Sequence, residues 1–365
     1  MKNKRNVLYG LIIMLSGIIH FPIQAQQKNG IIKFGTNVST SHGPNASVRT
    51  IRQDRKGNML LVSTEGIIRY DGKSFTNLTS KLGSHKIWDV IEDRRGNIWF
   101  ATIDSGVYYY NGKSLPAGQA GFQHFTTRDG LASNRVFEIY EDKAGIIWFG
   151  TGDGASRYDG KSFRNFKIKE VSSPAKTDDS ARAPVYHKQL YHPELYEAYW
   201  MINQTNNTIN TIIEDKTGKI WCGTWSNAGI YDGKTITTIA NKDGKPFTNV
   251  RSMVKDKKGN IWFGGGSGLW RYDGTAFTNF TRNSVGYIYV DRKGNIWTSS
   301  QSNTGPKWTV SRFDERFLSG NKPTITEITS GEDGLFGISE ARDGSIWFGA
   351  TDGAYRYDGK TVKKL

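Results

Sequence analysis

Short β-branched and aromatic runs alternate along the chain with clusters of turn-forming residues, and the order of runs and turns repeats. A run such as Val136-Phe-Glu-Ile-Tyr-Glu141 precedes an Asp-x-x-Gly turn. An Ile-Trp-Phe-Gly run follows, then a run ending in Arg-Tyr, an Asp-Gly pair, and a last run of the Phe277 to Phe280 type. Runs of this length bounded by Gly, Asp and Asn predict strands rather than helices. In each hairpin turn Gly supplies a positive φ while Asp accepts backbone N–H bonds. Each unit therefore predicts four antiparallel strands, called a to d here.

The unit recurs seven times. Its first phrase reads Asp93-Arg-Arg-Gly96-Asn-Ile-Trp99, Asp142-Lys-Ala-Gly145-Ile-Ile-Trp148, Asp215-Lys-Thr-Gly218-Lys-Ile-Trp221, Asp256-Lys-Lys-Gly259-Asn-Ile-Trp262 and Asp291-Arg-Lys-Gly294-Asn-Ile-Trp297. Two copies are degenerate: Leu60 replaces Trp after Asp54, and Ala341 replaces Asp before Trp347. A second phrase, such as Tyr158-Asp159-Gly160, follows each copy. Four-stranded units of about 40 residues repeated around an axis make a β-propeller. The expected fold is all-β, a seven-bladed β-propeller of four-stranded antiparallel blades over residues 26–365. Ile31 to Phe34 is expected to add a strand that helps close the ring against the last blade.

Composition agrees with many short strands. Aromatics reach 13%, and Gly numbers 42 against 9 Pro, which suits neither disorder nor a helical bundle. The single Cys222 excludes an intramolecular disulfide framework and a zinc site built on several thiolates. It stands where four other blades have Phe, and so reads as a buried hydrophobe rather than a nucleophile. Lys2, Lys4 and Arg5 precede an apolar stretch from Val7 to Phe21 and a small residue at Ala25, the pattern of a cleaved signal peptide over residues 1–25. The expected location is periplasmic or secreted, with no membrane span in the mature chain. The net charge of +15 would suit nucleic acid. Export, and lysines scattered over uniform turns like a solubilising face, argue against such a partner.

The repeated phrases resemble the two-component regulator propeller repeat, in its typical form Asp-x-x-Gly-Asn-Ile-Trp-Phe-Gly-Thr, a short loop, then Gly-Leu-x-Arg-Tyr-Asp. The resemblance runs from about residue 31 to the C-terminus. It implies an extracytoplasmic sensor module, in a family where such arrays often precede a membrane helix and a histidine kinase and are often linked to glycan sensing. This sequence ends at Leu365, directly after the last repeat, so the expectation is a free-standing exported propeller. Streptogramin-lyase propellers have a similar blade style and supply the enzyme alternative. The sialidase Asp box and the quinone-binding phrase do not match these turns.

Asp-x-x-Gly and Tyr-Asp-Gly turns share one face, the bottom, and are near-uniform. The loops between strands d and a and between b and c share the top, and they vary. Variation among internal copies marks positions that blade packing does not dictate. Eleven residues before the Trp position, near the start of strand a at the mouth of the central channel, stand Arg49, Trp88, Phe137, Asn210, Arg251, Gly286 and Phe336. His85 and Arg135 lie just upstream. Aromatic faces with guanidinium forks suit a sugar or an acidic small molecule; the same ring would also serve as a plug. An insertion over 167–206 lies on the top face, and its aromatic half contributes Tyr191, His192 and Trp200, with Trp225 nearby on a b–c loop.

Catalytic signals are weak. His187 and His192 are not spaced as helical metal ligands, and no Gly-rich phosphate loop is present. Asp89 and Glu138 sit one residue into strand a from the variable ring, where facing carboxylates would be possible. No catalytic residue, metal or cofactor is assigned. The expectation is a monomeric, non-enzymatic binding or sensing propeller for an oligosaccharide or anionic ligand. The alternatives are a lyase or hydrolase acting in the channel mouth, and a platform for an envelope protein partner.

Overall fold

The computed structural model describes residues 39–80, 82, 86–111, 122–169, 205–302, 307–318, 324–332 and 334–365. The expected signal segment 1–25, the Ile31 to Phe34 run and residues 170–204 of the insertion lie outside them. Seven sheets form among the described residues, each built on four antiparallel strands consecutive in sequence. Strand a of the blades spans Val48–Gln53, Ile87–Glu92, Val136–Glu141, Ile209–Glu214, Ser252–Lys255, Val285–Val290 and Leu335–Glu340. The seven-bladed, four-stranded propeller expected from the repeats is the fold observed.

Two blades carry a fifth, outermost strand. Ser39–Thr40 pairs antiparallel with Phe75–Asn77, strand d of the first blade. Ile168–Lys169, where the insertion begins, pairs parallel with strand d of the fourth blade at Ile236 and Thr237. The last blade has its own strand d, Val362–Lys364, paired with strand c.

The repeated Asp and Trp have one local reason to occur together. Asp93 accepts the backbone N–H of Arg95 and of Asn97, each at 2.9 Å, and the Trp99 indole N–H at 2.9 Å. The carboxylate thus closes the turn and anchors the aromatic ring of strand b. The same indole bond recurs from Trp148, Trp221, Trp262 and Trp297 to their own Asp. In the last blade, where Ala341 replaces Asp, the Trp347 indole donates to Ser345 Oγ at 3.1 Å. Burial would raise the Asp93 carboxyl, but its amide and indole donors outweigh that and hold it below the usual carboxylate range.

The hydrophobic core lies between blades. Trp99 of the second blade meets Phe149 and Tyr158 of the third at 5.7 and 5.8 Å between ring centres. The closing joint has the same chemistry: Val48, Ile51, Leu61 and Phe75 of the first blade cluster with Trp347 and Ala354 of the last. Backbones approach closely there, and a side chain on Gly349 would meet the Val48 carbonyl oxygen at 2.0 Å.

The basic turn residues do more than solubilise the bottom face. Arg55 donates to the Asp93 carbonyl, Arg94 to that of Asp142, Lys143 to that of Asp215 at 3.3 Å, and Arg292 to that of Ala341 at 2.5 Å. Glutamates ending the neighbouring strand a accept the backbone N–H of these same residues, as Glu141 does from Arg94 at 2.8 Å. Arg342 makes the same link between the last blade and the first by donating to the carbonyls of Arg55 and Lys56.

Candidate functional site

Strand a of each blade lines the axis, and a β-bulge decides which of its residues face inward. Register slips by one between Val48 and Thr50, Ile87 and Asp89, Val136 and Glu138, Ile209 and Thr211, and Val285 and Tyr287. The residue bypassed is the one eleven before the Trp position: Arg49, Trp88, Phe137, Asn210 or Gly286. In the last blade the slip falls one residue later, between Phe336 and Ile338. A bulge turns two consecutive side chains toward one side of the sheet. A cavity of about 510 Å³ on the axis is accordingly lined by consecutive pairs, among them Arg49 with Thr50, Trp88 with Asp89 and Phe137 with Glu138.

All seven residues of the expected ring line this cavity. They divide into two sectors. On the side of blades one to three and seven, the Arg49 guanidinium lies 3.5 Å from the centre of the Trp88 ring and 5.7 Å from that of Phe336. Trp88 meets Phe137 edge to face at 5.6 Å, and both rings are buried. Trp225 packs against this pair, and the Arg135 guanidinium lies 5.4 Å from the Phe137 ring; neither lines the cavity. This sector is the plug that the ring sequence also allowed. Gly286 leaves the space that the Trp308 ring fills, since a Cβ there would come within 3.1 Å of it.

The other sector is polar. Asn210 donates its side-chain N–H to the Val250 carbonyl at 3.2 Å, while its buried Oδ1 has no hydrogen-bond partner. Asn249, in the left-handed region at φ 46°, holds its side-chain amide 3.0 and 3.2 Å from the Arg251 Nε and Nη2, donors that call for the amide oxygen on that side. His85, Tyr191, His192 and Trp200 lie outside the described residues.

One residue further along strand a lies a layer in which Asp89 and Glu138 share a cation. Arg52 Nη2 lies 3.5 Å from Asp89 Oδ1 and 3.8 Å from Glu138 Oε1. Asp89 also accepts the Ile139 N–H at 3.0 Å, clasping the third blade. Burial raises the Asp89 carboxyl despite Arg52. Burial and the neighbouring Asp89 charge push Glu138 well above the usual carboxylate range, and Arg52 offsets them only in part. The Asp89 charge in turn raises Arg52 above its ordinary value. The Tyr287 phenol, hydrogen-bonded to the Thr50 side chain, is raised by burial.

That layer was only half legible in the sequence. Strict alternation turns the residue after an inward-facing one away from the axis, and no residue type in the repeat announces the bulge. Elsewhere, Cys222 is fully buried and burial pushes its thiol up to about 12, as expected of a hydrophobe. Among the described residues no group of three or more His, Cys, Asp or Glu is placed to hold a metal ion.

A family model described as "Two component regulator propeller" matches residues 81–104, 130–153, 203–226 and 244–267. Among solved structures, the chain is similar to the extracellular domain of BT3049, named as a hybrid two component system, from B. thetaiotaomicron. The identity is 20% and the TM-score 0.62, over 89% of this chain and 42% of that one. A streptogramin B lyase matches at 14% identity and TM-score 0.58, over 88% of this chain and 97% of that one. YCF48 bound to D1 peptide matches at 10% identity and TM-score 0.54, over 90% and 98%. The chain spans less than half the length of the first of these, and at such identities the likeness is one of fold. No curated protein sequence matches the chain.

Proposed function

We propose that this chain, which belongs to the two component regulator propeller repeat proteins, is an exported propeller that binds a small carbohydrate or anionic ligand at its channel mouth without transforming it. The observation that carries the reading is the ring itself. Seven positions equivalent in the repeat line one cavity, and they hold Arg, Trp, Phe, Asn and Gly where turns and blade joints elsewhere keep near-constant residues. Selection for packing alone would favour the same residue in each blade. Guanidinium groups and amides at the mouth suit carboxylate, sulfate and hydroxyl groups, while the aromatic plug fills one side of the mouth and leaves the polar side as the way in.

Removal of residues 1–25 and delivery to the periplasm or beyond belong to the same reading, as does a monomeric state. It is supported by the basic and apolar N-terminal pattern and by a ring that closes on itself. No described helix is long and apolar enough to cross a membrane.

A thermal-shift screen of the mature propeller against sulfated and uronic-acid oligosaccharides tests the reading. A ligand at about 100 times its Kd raises stability by about 2.7 kcal/mol if it binds only the folded state. The shift is expected to vanish in Arg251→Ala and to persist in Arg164→Ala, a change on strand d of the third blade. A hit indifferent to Arg251 moves the site elsewhere, and a flat screen favours a protein partner.

The alternative of a lyase or hydrolase draws on the buried Asp89 and Glu138 pair, since a carboxyl raised above the usual carboxylate range is suited to act as a general acid. It requires turnover that Glu138→Gln abolishes while binding is retained.

A further inference from the structure

The inner layer of the channel presents hydrogen-bond acceptors in excess of cations. Asp89 and Glu138, on adjacent blades, share the single guanidinium of Arg52 at 3.5 and 3.8 Å. Asp89 is otherwise committed: it is 2% exposed and accepts the Ile139 N–H. Glu138 is not. Its side chain retains 20% exposure in the cavity wall, and its ion pair with Arg52 is the longer of the two. On the next blade stands Asn210, 7% exposed, whose Oδ1 is buried in the same cavity wall without a hydrogen-bond partner. A buried acceptor left unmade is costly, and a small turn of the Asn210 side chain toward the cavity would let a donor on a ligand recover that cost.

The geometry points to an amine subsite: the sector of the channel between Glu138 and Asn210 binds a protonated primary amine on the ligand. An ammonium group has three N–H donors and no acceptor. Glu138 supplies the countercharge, and Asn210 Oδ1 accepts a further N–H. A neutral hydroxyl would meet the same oxygens but would gain nothing from ionising Glu138, whereas a cation pairs with the carboxylate that forms. The inference rests on the reading of the channel as a small-ligand site and deepens it. With Arg251 at the mouth and Glu138 one layer within, the site sorts a ligand by charge along the axis, which suits an amino sugar.

Proton linkage follows from the groups that face Glu138: Asp89 of the second blade, Arg52 of the first and Tyr287 of the sixth, the last also facing Arg49. Glu138 lies well above the usual carboxylate range because burial and Asp89 disfavour its charge. An ammonium ion therefore binds as the proton leaves: the Glu138 carboxyl loses its proton to solvent, and the carboxylate pairs with the cation.

Calorimetric titration of the mature propeller with D-glucosamine, N-acetyl-D-glucosamine and D-glucuronic acid tests this, near pH 6 and in two anionic buffers of unequal ionisation enthalpy. Glucosamine is expected to bind at least about tenfold more tightly than its N-acetyl form and to release up to about one proton per molecule bound. Glu138→Gln, which preserves shape, is expected to abolish both the preference and the proton release, with a thermal melt confirming the fold. Equal affinity for the two amino-sugar forms, or no binding of glucosamine at all, overturns the amine subsite. If glucuronic acid binds in an Arg251-dependent way in that case, the ligand-binding reading stands without it. Preference for glucosamine that survives in Glu138→Gln also overturns the assignment.

Discussion

At the scale of single residues, a repeated side chain earns its place by the groups it satisfies. Asp93 fills its lone pairs with two backbone N–H groups, the Asn97 amide and the Trp99 indole, all within its own blade. Asp93→Ala is expected to destabilise the protein by about 1–3 kcal/mol, because buried donors lose their acceptor. Asp93→Asn removes the charge, and with it the linkage to pH, and turns one accepting oxygen into an N–H donor. Although burial opposes it, the donors lower the folded carboxyl below its unfolded value. Its stabilisation is therefore present above the unfolded pKa of about 3.9 and is lost as pH falls through the folded value. The gap in urea midpoint between wild type and Asp93→Asn should hold from about pH 7 to pH 5 and close below about pH 4. A gap independent of pH would mean that the carboxylate charge contributes nothing.

At the scale of elements, strand a carries two duties that its sequence keeps apart. Its outward alternate positions, Ile51, Val90, Ile139, Ile212 and Ile288, are apolar and fill the joints between blades. Its bulge places two polar or aromatic residues on the axis and frees backbone groups that the adjacent blade satisfies. Thr50 donates to the Trp88 carbonyl at 3.0 Å, and Ser252 accepts the Ile288 N–H at 3.1 Å. The joints are tight where one strand's backbone meets the next. A Cβ on Gly349 would lie 2.0 Å from the Val48 carbonyl oxygen, whereas on Gly264 its nearest neighbour would be a Val285 methyl at 2.7 Å. A backbone oxygen cannot swing aside as a side chain can. Gly349→Ala is therefore expected to lower stability by about 1–3 kcal/mol or more, and by more than Gly264→Ala, measured by thermal unfolding. Equal losses would mean that the first and last blades yield more readily than their spacing indicates.

At the scale of the whole molecule, the ring closes through the same face-to-face joint that links every other pair of blades, with the Tyr70 and Trp347 ring centres 5.4 Å apart. The described strand before the first blade adds to that blade's own edge, and the expected closing run at Ile31 to Phe34 lies outside the described residues. Two changes separate the contributions at the joint. Trp347→Ala removes a buried ring and should cost about 3–5 kcal/mol, whereas Arg342→Ala cuts an exposed latch worth about 1 kcal/mol. Urea midpoints rank them, and the reverse order would place ring closure in the bottom-face latches. Blade number, strand count and turns followed from the sequence alone, because each depends on residues within about 40 positions of one another and the pattern was written seven times. The variable ring was also legible, since comparison among copies shows where packing has ceased to choose the residue. Which ring members plug the channel and which stay polar was decided only by the tertiary structure. So was the meeting of Asp89, Glu138 and Arg52, because a bulge in three separate blades turns them toward one axis. Burial and the field of neighbouring blades, rather than any local sequence, set their charge.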